Sequence, residues 1–239
     1  MVTTVLVPPT TPPTRPSRAT RVLLRCGVIA GPLFVLTFLL QGATRDGYDQ
    51  LRHPVSSLAL GPYGWIQTAN FLLCGLLTLA FAVGVRRTLR GGRAGTWGPL
   101  LIGVWAIVLL NAGVFVTDPV SGYPPGTPDR LTEHTISGAL HDGGAVFGFP
   151  ALLAVFFVFT RRFVGQRRYG WASYCALTGL VSLAGNILAG AGFAQVPGLV
   201  DLAGLYQRIV IVSGLLGLAL LALHLLSHLS DTTNSAVRA

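Results

Sequence analysis

Six runs of predominantly apolar residues, separated by polar segments, occupy most of the chain between residues 22 and 226. Each run is close to the roughly 20 residues that an α-helix needs to cross the hydrocarbon core of a bilayer. The runs are Val22–Gly42, Gly64–Val85, Trp97–Val116, Ile136–Thr160, Gly170–Ala191 and Ala203–Leu226. The pattern predicts an all-α, polytopic membrane protein, in which residues 21–228 form a bundle of six transmembrane helices.

The composition supports this class. Hydrophobic residues make up 51% of the chain and charged residues only 10%, whereas soluble domains carry about 25% charged residues. Residues 1–20 are rich in Pro, Thr and Arg and lack apolar periodicity, which is typical of disorder. We therefore predict a disordered cytoplasmic tail over residues 1–20 and a second cytoplasmic tail over residues 229–239.

The net charge of +9 comes from arginines that cluster at the ends of apolar runs. Such clustering indicates membrane topology, so the charge does not predict a nucleic-acid partner. Three clusters lie on the N-terminal tail and the start of the first run, after the second run and after the fourth run: Arg15, Arg18, Arg21 and Arg25; Arg86, Arg87, Arg90 and Arg93; Arg161, Arg162, Arg167 and Arg168. With six spans these clusters share one side, and the positive-inside rule places that side and both termini in the cytoplasm. We expect a multi-pass protein of the cell membrane.

The longer connections, residues 43–63, 117–135 and 192–202, fall on the opposite side, and loops of this kind often carry function. In the first, the proline after His53 can start a short helix, which we predict over Pro54–Leu60. In the second, Thr127 and Pro128 form a plausible N-cap and first turn. The sequence therefore predicts that the fourth helix begins near Pro128 and carries His134 above His141.

Five of the six runs place a polar residue about one to two turns from this outer end. These residues are Asn70, Asn111, His141 with Asp142, Asn186 and Arg208. Their shared depth predicts an outward-facing pocket, roofed by His53 and the 117–135 loop. A charge at the depth of Arg208 costs roughly 2.5–3.5 kcal/mol on insertion scales, so we expect it to pair with Asp118 or Asp142. The predicted ligand-binding residues are His53, Ser56, Asn70, Asn111, Asp118, His141, Asp142 and Arg208.

Four segments, which include six of these eight residues, resemble a known family when taken together. They are Arg52–Gly61, Gly64–Phe71, Gly113–Pro119 and Leu140–Asp142. The combination is similar to prokaryotic, largely bacterial, integral-membrane proteins of the domain of unknown function 998, over nearly all of Arg21–Leu226. The resemblance implies a six-span membrane protein. It brings no established activity, and it assigns no catalytic residue.

Three functions remain open at this stage. In the first, the pocket binds a lipid or a small amphiphilic or anionic ligand, held by Arg208, His141 and the asparagines. In the second, the protein is a membrane-embedded hydrolase of an outer-leaflet substrate, with Ser56 as a nucleophile or hydrogen-bond donor. In the third, a structural or accessory protein, the polar layer only locks the helices together. The sequence leaves the oligomeric state open.

The hydrolase hypothesis includes a possible zinc ion. Imidazole and carboxylate groups are ligands of zinc, and the candidate set is His53, His134, His141 and Asp142. Haem is disfavoured, because bis-histidine ligation needs two histidines at matching depth on facing helices. His141 has no such counterpart in the sequence pattern.

Overall fold

The structure, a computed structural model, describes residues 17–89, 91–131 and 133–238, with side chains up to residue 229. Six long α-helices account for most of these residues: α1 Arg18–Thr44, α2 Gly64–Thr88, α3 Gly92–Val114, α4 Ile136–Gly165, α5 Tyr169–Phe193 and α6 Ala203–Arg238. All six are long and apolar enough to cross a membrane. The described residues contain no strand beyond one isolated bridge, so the predicted all-α, six-span architecture is confirmed.

The two predicted tails are only partly described. Residues 1–16 lie outside the described residues. Helix α1 begins at Arg18 because the Ser17 side chain accepts a hydrogen bond from the Thr20 N–H group, 3.2 Å away. At the other terminus, α6 runs on to Arg238, past the predicted end of the span at Leu226.

The predicted start of α4 near Pro128 was wrong. The 117–135 segment folds back on itself, because the carbonyls of Pro128 and Asp129 accept hydrogen bonds from Gly122 and Ser121. Helix α4 starts at Ile136, where the Thr135 side chain accepts a hydrogen bond from the Gly138 N–H group, 2.9 Å away. His134 therefore lies before the helix, and it does not share a helix face with His141.

The helices form a ring in chain order, in which each packs against its neighbours and α6 closes on α1. One end of this ring, which we call the loop end, is where α1, α3 and α5 finish and α2, α4 and α6 begin. It is covered by residues 45–63, 115–131, 133–135 and 194–202. The predicted short helix is confirmed there as a 3₁₀ helix, Val55–Ala59, with Pro54 as its N-cap.

The inside of the ring is filled differently along its length. From the middle to the end opposite the loop end, fully buried side chains occupy it: Phe81, Leu152, Phe156, Phe159 and Leu221. The helices also approach closely at Gly31 of α1, where a Cβ atom would collide with the Leu215 carbonyl of α6. In the half toward the loop end the packing opens into a cavity.

Candidate functional site: a cavity at the loop end

The cavity has a volume of about 770 Å³ and lies mainly between α3, α4, α5 and α6. Its walls are largely apolar and aromatic: Phe34, Phe71, Trp105, Val108, Leu109, Phe149, Val210 and Ile211. Residues 54–56 and parts of the 117–134 segment form its roof. Volumes of 300–1,000 Å³ with apolar walls and a few polar groups are typical of small-molecule sites.

The polar groups of the cavity gather toward the loop end. They are Ser56, Thr117, Asp118, Arg130, His134, His141, Asp142, Asn186, Gln195 and Gln207. Most belong to the roof or to the first two turns of a helix. Asn186 is the deepest on α5, about two turns from the end of that helix at Phe193. The cavity thus has a polar end under the roof and an apolar end near the middle of the bundle.

His141 has one ring nitrogen that is not engaged by the protein, and it lines the cavity. Its Nδ1 atom lies 2.8 Å from the carbonyl oxygen of Phe115. Because a carbonyl can only accept, Nδ1 must carry the hydrogen, and in the neutral ring Nε2 keeps its lone pair. The ring is buried and packs edge-on to Phe71, with 6.2 Å between ring centroids. His141 therefore offers the cavity a hydrogen-bond acceptor of fixed orientation.

Asp142, Ser56 and Asn186 also line the cavity, and none of them has a side-chain hydrogen bond or ion pair with another described residue. Asp142 is solvent-exposed although it lies on a transmembrane helix. Polar groups at such depth usually face a partner or a water-filled space. These three side chains are consequently available to a ligand.

The cavity reaches the surface of the bundle between α4 and α5. Asp142 and Val146 on α4, Gly190 on α5 and Ala194 just after α5 line the cavity and are exposed. A Cβ atom at Gly190 would meet nothing within 4 Å. On the neighbouring seams the helices are in contact, since a Cβ atom at Gly148 of α4 would lie 2.6 Å from Val108 of α3. The opening therefore faces sideways, where a bilayer would surround the protein.

Three of the predicted ligand-binding residues instead join parts of the protein. The Asn70 amide donates to the Phe34 carbonyl of α1 at 3.2 Å. The Asn111 amide donates to the Leu140 carbonyl of α4 at 2.9 Å. The Asp118 carboxylate accepts hydrogen bonds from the backbone N–H and the hydroxyl group of Thr135, at 2.9 and 2.6 Å. Asp118 borders the cavity, but its oxygens hold the start of α4.

The predicted ion pair of Arg208 with Asp118 or Asp142 was wrong. The buried Arg208 guanidinium donates to the carbonyls of His53 and Gly204, at 3.0 and 2.9 Å, and to the Tyr48 hydroxyl at 2.6 Å. The ion pairs found within the described residues involve Arg52. Arg208 is thus stabilised by neutral oxygen atoms, and it does not border the cavity.

His53 connects two loops and does not border the cavity. Its Nδ1 accepts a hydrogen bond from the Asp49 N–H group at 2.9 Å, and its Nε2 donates to the Ser121 carbonyl at 3.1 Å. Burial lowers the pKa of His53 below its ordinary value of 6.5. Both ring nitrogens are therefore occupied, and the neutral ring is the form that satisfies both bonds.

The predicted zinc set is not assembled. With both nitrogens of His53 engaged, the set lacks one of its four members, and His134 lies outside α4. Within the described residues, no three His, Cys, Asp or Glu side chains are placed to hold a metal ion together. His134, His141 and Asp142 line the cavity, where they offer hydrogen-bonding and charged groups.

Sequence reasoning missed two features of this end. Arg52 forms ion pairs with Asp129 and Asp201 and donates to the Ser121 carbonyl at 3.2 Å, so it connects all three loops. Arg130 lines the cavity from its roof. The excess of acids on this side of the sequence was the available signal for Arg52, whereas the position of Arg130 depends on the fold of its loop.

Comparison with known protein families identifies the family of this chain. Residues 28–224 match the model of a family described as Protein of unknown function (DUF998). No curated protein and no solved structure matches the chain. The match covers most of the chain and all six helices in whole or in part, so this multi-pass membrane protein belongs to the DUF998 family.

Proposed function

We propose that the protein binds an amphiphilic molecule, a lipid of the surrounding bilayer, inside the loop-end cavity. The observation that carries this proposal is the cavity itself: about 770 Å³, apolar at one end, polar at the other and open between α4 and α5. An apolar chain would occupy the space beside Trp105 and Phe149. The polar headgroup would lie near His141 and Asp142.

The polar end would supply most of the selectivity. Moving an acyl chain from the bilayer into an apolar cavity changes its surroundings little, since lipid tails are as apolar as leucine. Hydrogen bonds from a headgroup to His141 and Asn186 would be made only in the cavity. The sequence suggested an anionic ligand because Arg208 could bind it. Arg208 is bonded to His53 and Tyr48 instead, so it no longer supports an anionic ligand.

The hydrolase hypothesis retains one supporting observation. The lone pair on Nε2 of His141 is what a general base needs, and Ser56 lines the same cavity. In this alternative His141 would take a proton from Ser56 or from water, and an ester of the bound lipid would be cleaved. The hypothesis that the polar residues only hold the helices together explains the contacts of Asn70, Asn111 and Arg208, but it does not explain the cavity.

We expect that filling the cavity will remove the bound lipid. Ala145 of α4 lines the cavity, and phenylalanine there would occupy the space of the ligand. A clash of more than about 1.4 kcal/mol lowers the affinity for the lipid at least tenfold. The measurement is mass spectrometry of lipid that remains bound after purification in detergent.

Ala139→Phe is the matched control, because Ala139 is exposed on the same helix and does not line the cavity. Equal amounts of bound lipid in wild type, Ala145→Phe and Ala139→Phe would contradict the proposal. Recovery of cleaved lipid from the wild type and of intact lipid from His141→Gln would favour the hydrolase.

We also infer that both termini lie in the cytoplasm and that the loop end faces away from it across the cell membrane, from the arginine clusters at the opposite end. Cysteine introduced at Glu133, an exposed loop-end residue, should react with a membrane-impermeant maleimide in intact cells. Cysteine at Arg167, exposed at the opposite end, should react only after lysis. The reverse pattern would overturn this orientation.

A further inference from the structure

The cavity contains two opposite charges that do not pair with each other. Asp142 lines it from α4, and Arg130 lines it from the 115–135 loop. The ion pairs found among described residues within 4.0 Å are those of Arg52. Asp142 and Arg130 consequently remain apart, each with its charged group available at the polar end of one cavity.

The position of Asp142 is not explained by its own helix. Acidic residues are favoured in the first turn of a helix, where they interact with the helix dipole, and the effect falls off beyond that turn. Asp142 is the seventh residue of α4, which begins at Ile136. An ionised carboxylate at this depth needs a cationic partner or a water-filled surrounding.

No basic side chain among the described residues forms an ion pair with Asp142: the ion pairs found are those of Arg52, and His134, which also lines the cavity, is not in them. Asp118 is itself an acid and is bonded to Thr135, and Arg208 lies outside the cavity, where it is bonded to the carbonyls of His53 and Gly204 and to the Tyr48 hydroxyl. The hydrogen on Nδ1 of His141 is directed to the Phe115 carbonyl. A positive group that binds Asp142 would therefore have to come from the ligand.

On the basis of the proposed function, we infer that the bound amphiphile is a zwitterionic phospholipid. Its ammonium group lies at Asp142, on the lip of the opening between α4 and α5. Its phosphate lies at Arg130 under the roof, and its acyl chain extends into the apolar end. The two protein charges then each meet an opposite charge, and an anionic phospholipid would satisfy only Arg130.

Binding of two lipids with identical acyl chains tests this inference. Native mass spectrometry would measure the occupancy of full-length protein by dioleoyl phosphatidylethanolamine and by dioleoyl phosphatidylglycerol. We expect wild type to prefer phosphatidylethanolamine by about tenfold, the effect of one charge-assisted hydrogen bond. Asp142→Asn should abolish this preference by weakening only phosphatidylethanolamine. Arg130→Gln should weaken both lipids.

Asp46→Asn is the matched control, since Asp46 is exposed at the loop end and does not line the cavity; it should keep the wild-type preference. An unchanged preference in Asp142→Asn would overturn the inference. If both lipids bind and Ala145→Phe displaces them, but Asp142 has no influence, the proposed function stands and only the headgroup assignment fails. If Ala145→Phe displaces neither lipid, the proposed function fails as well.

Discussion

Replacing Arg208 by leucine is expected to lower the free energy of unfolding by about 3 kcal/mol. The guanidinium makes three hydrogen bonds at the loop end, to the carbonyls of His53 and Gly204 and to the Tyr48 hydroxyl. A hydrogen bond to a charged group is worth about 1.5–3 kcal/mol. Removing a charge from the apolar surroundings offsets part of this loss. Denaturant titration of the purified protein in detergent micelles measures the change.

The same titration tests how Arg208 is stabilised. Arg93→Leu is the control, because Arg93 is exposed at the opposite end, and its effect should stay within about 0.5 kcal/mol. Arg208→Leu and Asp118→Asn should have additive effects within about 0.5 kcal/mol, because the two side chains have no shared partner. A coupling energy of more than about 1 kcal/mol would restore the ion pair and contradict the observed network.

Replacing His53 by alanine is expected to destabilise the protein by about 2–3 kcal/mol at neutral pH. His53 is buried, and both ring nitrogens are bonded, to the backbone of Asp49 and of Ser121. Alanine leaves these backbone groups without their partner, and each buried polar group so orphaned costs about 1–3 kcal/mol. The unfolding titration at pH 7.5 measures this effect, with His134→Ala, an exposed histidine at the same end, as the control.

Acidification is expected to separate the wild type from the His53→Ala variant. The folded pKa of His53 lies below 6.5 through burial, so the unfolded chain takes up the proton first as the pH falls. The contribution of His53 to the free energy of unfolding is therefore complete above about pH 6.5, and it is lost progressively as the pH falls below that value. Asp49 favours the proton, whereas Arg52 and Arg208 oppose it. Tyr48, whose pKa burial raises to about 12, stays neutral. If the free energy of unfolding depends on pH in the same way in wild type and His53→Ala, His53 is not the cause of the acid destabilisation.

The fold could be predicted from the sequence because it depends on the length and spacing of apolar runs. The start of α4 could not, since Thr127 and Thr135 are both acceptable N-cap residues. The choice is made by Asp118, which is distant in sequence and bonds the backbone and hydroxyl of Thr135. Local signals identify possible helix starts, and tertiary contacts select among them.

The level of each candidate residue in the membrane could be predicted from the sequence. The side of the helix on which its side chain lies could be predicted only in part. Counting turns gives the level of a residue in the membrane, and the error of a turn leaves the side of the helix undetermined. Asn70 and Asn111 accordingly proved to face neighbouring helices, whereas His141 and Asp142 line the cavity. Arg208 shows a second limit. Backbone carbonyls are acceptors at every residue, so a sequence does not reveal that backbone carbonyls, rather than an acid, will accept the hydrogen bonds of a buried arginine.

Photo-crosslinking with a phospholipid that carries a diazirine in its acyl chain tests the central claim most directly. After illumination in membranes, mass spectrometry of proteolytic fragments locates the attached lipid. If the cavity holds an acyl chain, crosslinks will appear at its apolar wall, on Trp105, Phe149 and Val210, and Ala145→Phe will remove them. Crosslinks confined to the exposed outer faces of the helices, at residues such as Leu36, Leu76 and Leu177, and unchanged in Ala145→Phe, would contradict the account.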